Sequence, residues 1–237
     1  MPVKYSKAEP LVCCHIPKMG GTSIRELFQN AFQGNLFLHY NQPIVRNNVL
    51  VSRLPGRIDW GDLKKLSKVA SRMEGGFGTC IYGHFRNSES TGVDDYYPEA
   101  SQFALVLRSP LDAAISSYHY TKQMIKKGTP IPLKQKTLND FLESNNSQLF
   151  NHLPCLARKS PEKFIDESVV CLATLEGKKG LYDFFEDNFG MVNPLPRRNA
   201  SEHSEIADES VIKKWLQRNK EECSFYKLVQ DRESRFA

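Results

Sequence analysis

No stretch of this sequence is apolar enough, for long enough, to cross a bilayer. Met1 to Pro10 is polar, and the apolar run that follows is too short and too interrupted for a signal peptide or a membrane span. The expectation is a soluble, cytoplasmic or otherwise intracellular protein with no membrane partner. The six cysteines form no C-x-x-C pair. Cys13, Cys14, Cys80 and Cys171 sit in apolar, strand-like runs, which predicts buried free thiols in a reducing compartment over disulfides or a zinc site; Cys155 and Cys223 lie elsewhere. Nor is there a block of one charge: 32 Lys and Arg against 27 Asp and Glu leave a net +5, spread along the chain. That balance favours an anionic ligand, and without a zinc-finger, RRM or basic-zipper pattern it gives no reason to expect nucleic acid.

With no internal repeat, 237 residues that are 40% hydrophobic suffice for one sizeable domain: a polar tail over 1–10, then a domain over 11–237. Strand and helix patterns alternate along it. Strands are predicted from Leu11 through His15 into the glycine turn, and at Phe77–Phe85, Gln102–Arg108 and Ser168–Leu175. Helices are predicted from Thr22 to a stop at Gly34, over Trp60–Arg72, from Pro110 to about Lys126, from Thr137, over Asn146–Leu156, over Lys179–Asn188 and over Ser210–Val229. Residues 35–60 read as loops with at most one short strand, and 86–100 as an exposed loop. The fold class expected is α/β, a central, mostly parallel sheet with helices on both faces.

The stretch that carries chemistry is His15-Ile16-Pro17-Lys18-Met19-Gly20-Gly21-Thr22-Ser23, a glycine turn between a buried strand and a helix. A helix start offers unpaired N–H groups and the positive end of the helix dipole, to which Lys18, Thr22 and Ser23 add a cation and two hydroxyls. This is an anion cradle, but not the Walker loop, which places Lys directly after the second glycine; here Lys18 precedes Gly20-Gly21. No strand ends in an obvious Asp for Mg2+ either.

Pro17-Lys18-Met19-Gly20-Gly21-Thr22-Ser23 resembles the 5'-phosphosulfate loop of sulfotransferases that use 3'-phosphoadenosine-5'-phosphosulfate (PAPS). Leu107-Arg108-Ser109-Pro110, with Ser116 eight residues after Arg108, resembles their 3'-phosphate element. The order and spacing are most similar to the carbohydrate O-sulfotransferase branch that includes heparan sulfate 2-O- and 6-O-sulfotransferases. Looser likenesses run through Asn146–Leu153, Val170–Glu176 and Asn219–Leu228. The resemblance implies a P-loop-like sulfotransferase fold, PAPS as sulfuryl donor, adenosine 3',5'-bisphosphate (PAP) as product and no metal.

It also implies roles. Lys18, Met19, Gly20, Gly21, Thr22 and Ser23 would hold the 5'-phosphosulfate, Lys18 also stabilising the leaving oxygen, while Arg108 and Ser116 clamp the 3'-phosphate. Arg198 and Ser201 are candidates from a loop that closes on the same phosphate. In Tyr82-Gly83-His84, His84 matches the catalytic base, a task suited to a group titrating near neutrality. The acceptor would be a hydroxyl on a carbohydrate or a small metabolite. His15 reads as a structural residue or a neighbour of the nucleotide; His39, His119, His152 and His203 carry no pattern, and Phe85, Tyr118 and Tyr120 read as packing by default. Two other classes suit the cradle: a kinase-like ATP-dependent phosphoryl transferase and a nucleotide-binding protein without chemistry.

Overall fold

The computed structural model describes residues 3–39, 44–46, 49–52, 59–72, 76, 78–89, 91–131, 133–192 and 205–235. Strand β1 (Leu11–Cys14) runs into α1 (Gly21–Phe32) and β2 (Leu36–His39). A two-stranded antiparallel ribbon, β3 (Ile44–Arg46) with β4 (Val49–Ser52), and α2 (Trp60–Ala70) precede β5 (Cys80–Gly83). Helix α3 (Val93–Tyr96) and β6 (Phe103–Leu107) follow, then α4 (Pro110–Lys126), α5 (Leu138–Ser144), α6 (Cys155–Lys159) and α7 (Pro161–Ser168). Strand β7 (Val169–Thr174) and helices α8 (Lys179–Phe189), α9 (Glu209–Arg218) and α10 (Lys220–Arg235) complete the described chain.

Five strands form one parallel sheet in the order β2-β5-β1-β6-β7. Both faces are covered, so the strands read as continuous apolar runs instead of alternating with polar residues. Leu11 and Cys13 turn to the face under α1 and α8, where Phe28, Phe32, Phe184 and Phe185 pack. Val12 and Cys14 turn to the opposite face, with Leu63, Phe164, Phe225 and Val229. Each fully buried Phe contributes roughly 2–3 kcal/mol of transfer free energy. A third cluster seats α4 on α5 and α9 through Tyr118, Leu142 and Trp215. All six cysteines are free, and the four expected to be buried are buried. Residues 3–10 lie against the sheet: Tyr5 joins the core, and Gln102 donates to the Ser6 and Glu9 carbonyls. No helix among the described residues is long and apolar enough to cross a membrane.

Several sequence expectations are corrected. Helix α1 ends at Phe32, with Gln33 in the left-handed region at φ 47°, so Gly34 is not its cap. Residues 35–60 hold three strands, one of them in the main sheet, and 86–100 contain α3, its start tied by Gly92 N–H to Asp95 at 2.8 Å. The helix expected over Asn146–Leu156 is instead a 3-10 turn at Phe150–His152 followed by α6. Pro154 holds Leu153 extended (φ −110°, ψ 159°), and the Ser147 amide is drawn to Asn219 Oδ1 at 2.8 Å. That same Asn219, whose Nδ2 donates to the Trp215 carbonyl, divides the expected late helix into α9 and α10. Helix α7 was not expected from the sequence; Pro161 occupies its first turn.

Candidate functional site

In a parallel sheet every carboxyl end lies along one edge. From β1 the chain moves outward to β2 on one side, whereas β6 leads to β7 on the other. The crevice between the ends of β1 and β6 is therefore the switch point at which open α/β sheets bind ligands. The β1–α1 turn supplies Lys18 to Ser23 there, the end of β6 supplies Arg108, α4 supplies Ser116, and the end of β5 supplies His84 one strand away.

The turn is built around close approaches. Gly20 takes φ 77°, and a side chain there would press on Leu175. A Cβ on Gly21 would fall 1.5 Å from His15 Nε2, so only glycine lets this ring lie beneath the helix start. From β5, Tyr82 donates its hydroxyl proton to the Gly21 carbonyl at 2.9 Å. Lys18 itself lies in the left-handed region at φ 67°, a conformation that costs a side-chain-bearing residue about 1 kcal/mol.

The start of α1 is bare. Asp59, Ser109 and Thr137 cap α2, α4 and α5, each with an acid in the first turn, but α1 has no side-chain cap and no acid there. Its positive end is left for a ligand. Burial, and after it the charge of Arg108 at the end of β6, push the Lys18 ammonium down to about 8. Among the described residues neither has a carboxylate partner. The Lys18 ammonium sits 3.6 Å from the ring centre of the exposed Tyr120 on α4. Ser116 is buried on the inner side of α4. Of the cradle residues Thr22 is exposed, Ser23 is buried, and the Met19 side chain belongs to the core, leaving its backbone for the turn.

His84 continues the β5 ladder, its amide donating to the His39 carbonyl at 2.9 Å. Its ring stacks on His15 with centres 4.3 Å apart and 29° between planes, and Nδ1 lies 2.8 Å from the His15 carbonyl oxygen. A carbonyl only accepts, so Nδ1 carries the proton and Nε2 the lone pair. Burial lowers the His84 pKa most, the bond to His15 opposes this, and the Arg86 charge lowers it further. His15 is pushed well below its usual value by burial, then by His84, Arg25 and His152. Both rings are neutral at neutral pH.

Next to the turn lies a cleft of about 460 Å³. Lys18 and Met19 line it with Arg86, Ser117 and the polar run Asn145 to Gln148, and Asn151 and His152 close it. His84, Arg108 and Ser116 are not in that lining; the His84 ring centre is 6.2 Å from that of His152, which is. Sequence reasoning passed over His152 and Arg86 because neither belongs to a local motif. Tyr120, expected as packing, is exposed over Lys18, whereas Tyr118 packs as expected, its hydroxyl bonded to Glu205. Arg198 and Ser201 lie outside the described residues.

Neither the models of known protein families nor the curated proteins contain a match to this chain.

Proposed function

We propose that this protein is a PAPS-dependent O-sulfotransferase. The observation that carries the reading is the pair Lys18 and Arg108: two cations near enough for the charge of one to lower the pKa of the other, without an acid partner among the described residues, by an uncapped helix start on the sheet's switch point. Such a site suits a ligand with two separate anionic groups, the kind of ligand that the motif resemblance implies for Lys18 and Arg108.

PAPS, when bound, supplies the sulfuryl group and the stable bisphosphate leaving group. His84 takes the acceptor's hydroxyl proton at Nε2 as the acceptor oxygen bonds to sulfur and the bond from sulfur to the donor's phosphate oxygen breaks. Because its Nδ1–H is held by the His15 carbonyl, the ring is already in the tautomer a base needs. Lys18 meets the charge gathering on the leaving oxygen, a preorganised electrostatic role shared with the amides of Gly21 and Thr22. Arg108 and Ser116 hold the 3'-phosphate. The cleft beside Lys18 joins an apolar side of Ile16, Met19, Ala113 and Phe141 to a polar one of Asn145 to Gln148, Ser117 and Arg86, which suits an acceptor that carries several hydroxyls on a carbon frame.

The test is thermal stabilisation by PAP against ATP with Mg2+, followed by transfer of labelled sulfate from PAPS to an acceptor panel. Saturable stabilisation by PAP is expected. Stabilisation by ATP with Mg2+ alone would favour a phosphoryl transferase. His84→Ala should lower turnover at least about 100-fold while PAP still binds; unchanged turnover would remove His84 from the mechanism.

A further inference from the structure

Tyr120 is an aromatic residue that the core does not use. It is 42% exposed on α4, and among the described residues its hydroxyl has no hydrogen-bond partner and its ring no aromatic neighbour. What the ring meets is the Lys18 ammonium, 3.6 Å from its centre and well inside the range of about 6 Å over which the face of an aromatic ring attracts a cation. Tyr120 follows Ser116 by one turn of α4, so one side of that helix carries both groups.

The surroundings of Lys18 offer nothing else to hold its side chain. Its backbone sits at φ 67°, the side chain is half-buried, and the cleft it lines has no Asp or Glu among the described residues. The charged and titratable groups that share these surroundings are Arg108 at the end of β6 and, in the cleft wall, Arg86 and His152. A carboxylate in the place of Tyr120 would fix the ammonium but cancel its charge. A ring face fixes it and leaves the charge, with N–H donors to spare, for an anion.

We propose that Tyr120 is a positioning residue of the anion cradle: its ring holds the Lys18 ammonium in place before the ligand arrives, so that binding does not have to order a long, flexible side chain. This rests on the reading of Lys18 as a donor-binding residue. Immobilising such a side chain on binding lowers affinity about two- to tenfold, and the ring removes that loss in advance.

The experiment compares the whole wild-type protein with Tyr120→Phe, which keeps the ring, and Tyr120→Leu, which keeps apolar bulk without it; at an exposed site both should fold, and thermal unfolding checks this. Lysine labelled with 13C at Cε reports Lys18 directly, its signal being assigned by its loss in Lys18→Arg. In the wild-type protein and Tyr120→Phe the Lys18 ε-protons should be moved upfield by the ring; in Tyr120→Leu they should return to the ordinary lysine position. A ring face favours the charged form, so Tyr120→Leu should also lower the Lys18 pKa by about half a unit. PAP affinity at pH 7, read by calorimetry, should fall about threefold or more in Tyr120→Leu and stay within about twofold in Tyr120→Phe. A ring that only fills space would be replaced by leucine without moving the resonance, the titration or the affinity, and that result overturns this proposal alone. So does tighter PAP binding by Tyr120→Leu, because the ring would then compete with the ligand for the ammonium. Failure of the wild-type protein to bind PAP overturns the donor reading and this proposal with it.

Discussion

Lys18 offers a direct way to test the anion site through pH. Burial and the nearby Arg108 charge bring its pKa to about 8, so the free protein loses this cation as pH rises through that value. An anion bound at the turn restores the ammonium toward its ordinary value, about 10.4. The complex therefore binds the proton more tightly than the free protein, and PAP affinity is fully present below pH 8 and falls above it. With those two values, affinity should drop about tenfold between pH 7 and pH 9, with about one proton taken up on binding at the higher pH. The bisphosphate's own second ionisations lie near pH 6 and are complete before this window opens. Isothermal calorimetry at pH 7, 8 and 9, in buffers of different ionisation enthalpy, reads both quantities. Lys18→Arg, which stays protonated throughout, should flatten the profile. A change of less than about twofold between pH 7 and pH 9 in the wild-type protein would refute the reasoning, because a lysine titrating at its ordinary value produces almost none.

Other parts of the molecule give independent tests. His39 is 1% exposed, and burial lowers its pKa to about 4; its folded value is depressed, so its contribution is present above the unfolded value near 6.5 and is lost as pH falls toward 4, up to about 3 kcal/mol. Urea unfolding at pH 7 and pH 4.5 checks this, and His39→Gln should flatten the difference. Glu233 on α10 accepts from the Thr174 amide at 2.9 Å, from the Thr174 hydroxyl at 2.6 Å and from the Gly180 amide at 3.3 Å; Glu233→Ala strands these donors and should cost about 3 kcal/mol in equilibrium unfolding. Gly21→Ala places a methyl 1.5 Å from His15 Nε2; it should abolish PAP binding by calorimetry, and adding His15→Ala should restore part of it.

The residues and their order are enough to determine the alternating strands and helices and the glycine turn with Lys18 ahead of it. These are local properties: continuous apolar runs mark strands buried on both faces, and Ser109 with Pro110 marks a helix start that the fold keeps. The segment from Asn145 to Leu153 followed no such rule. Its amide-rich composition reads as a helix, but Asn87, Asn219 and Glu222, each more than 60 positions away, take its backbone groups and leave a single 3-10 turn. Long-range hydrogen bonds to irregular backbone leave no periodic trace, so His152 and the cleft it lines belong to the tertiary structure alone. The same holds for the state of the cradle. Its sequence provides a lysine, two glycines and a first helical turn without an acid; the fold sets Arg108 near enough to lower the Lys18 pKa and slides the His15 ring under Gly21 where only a missing side chain admits it.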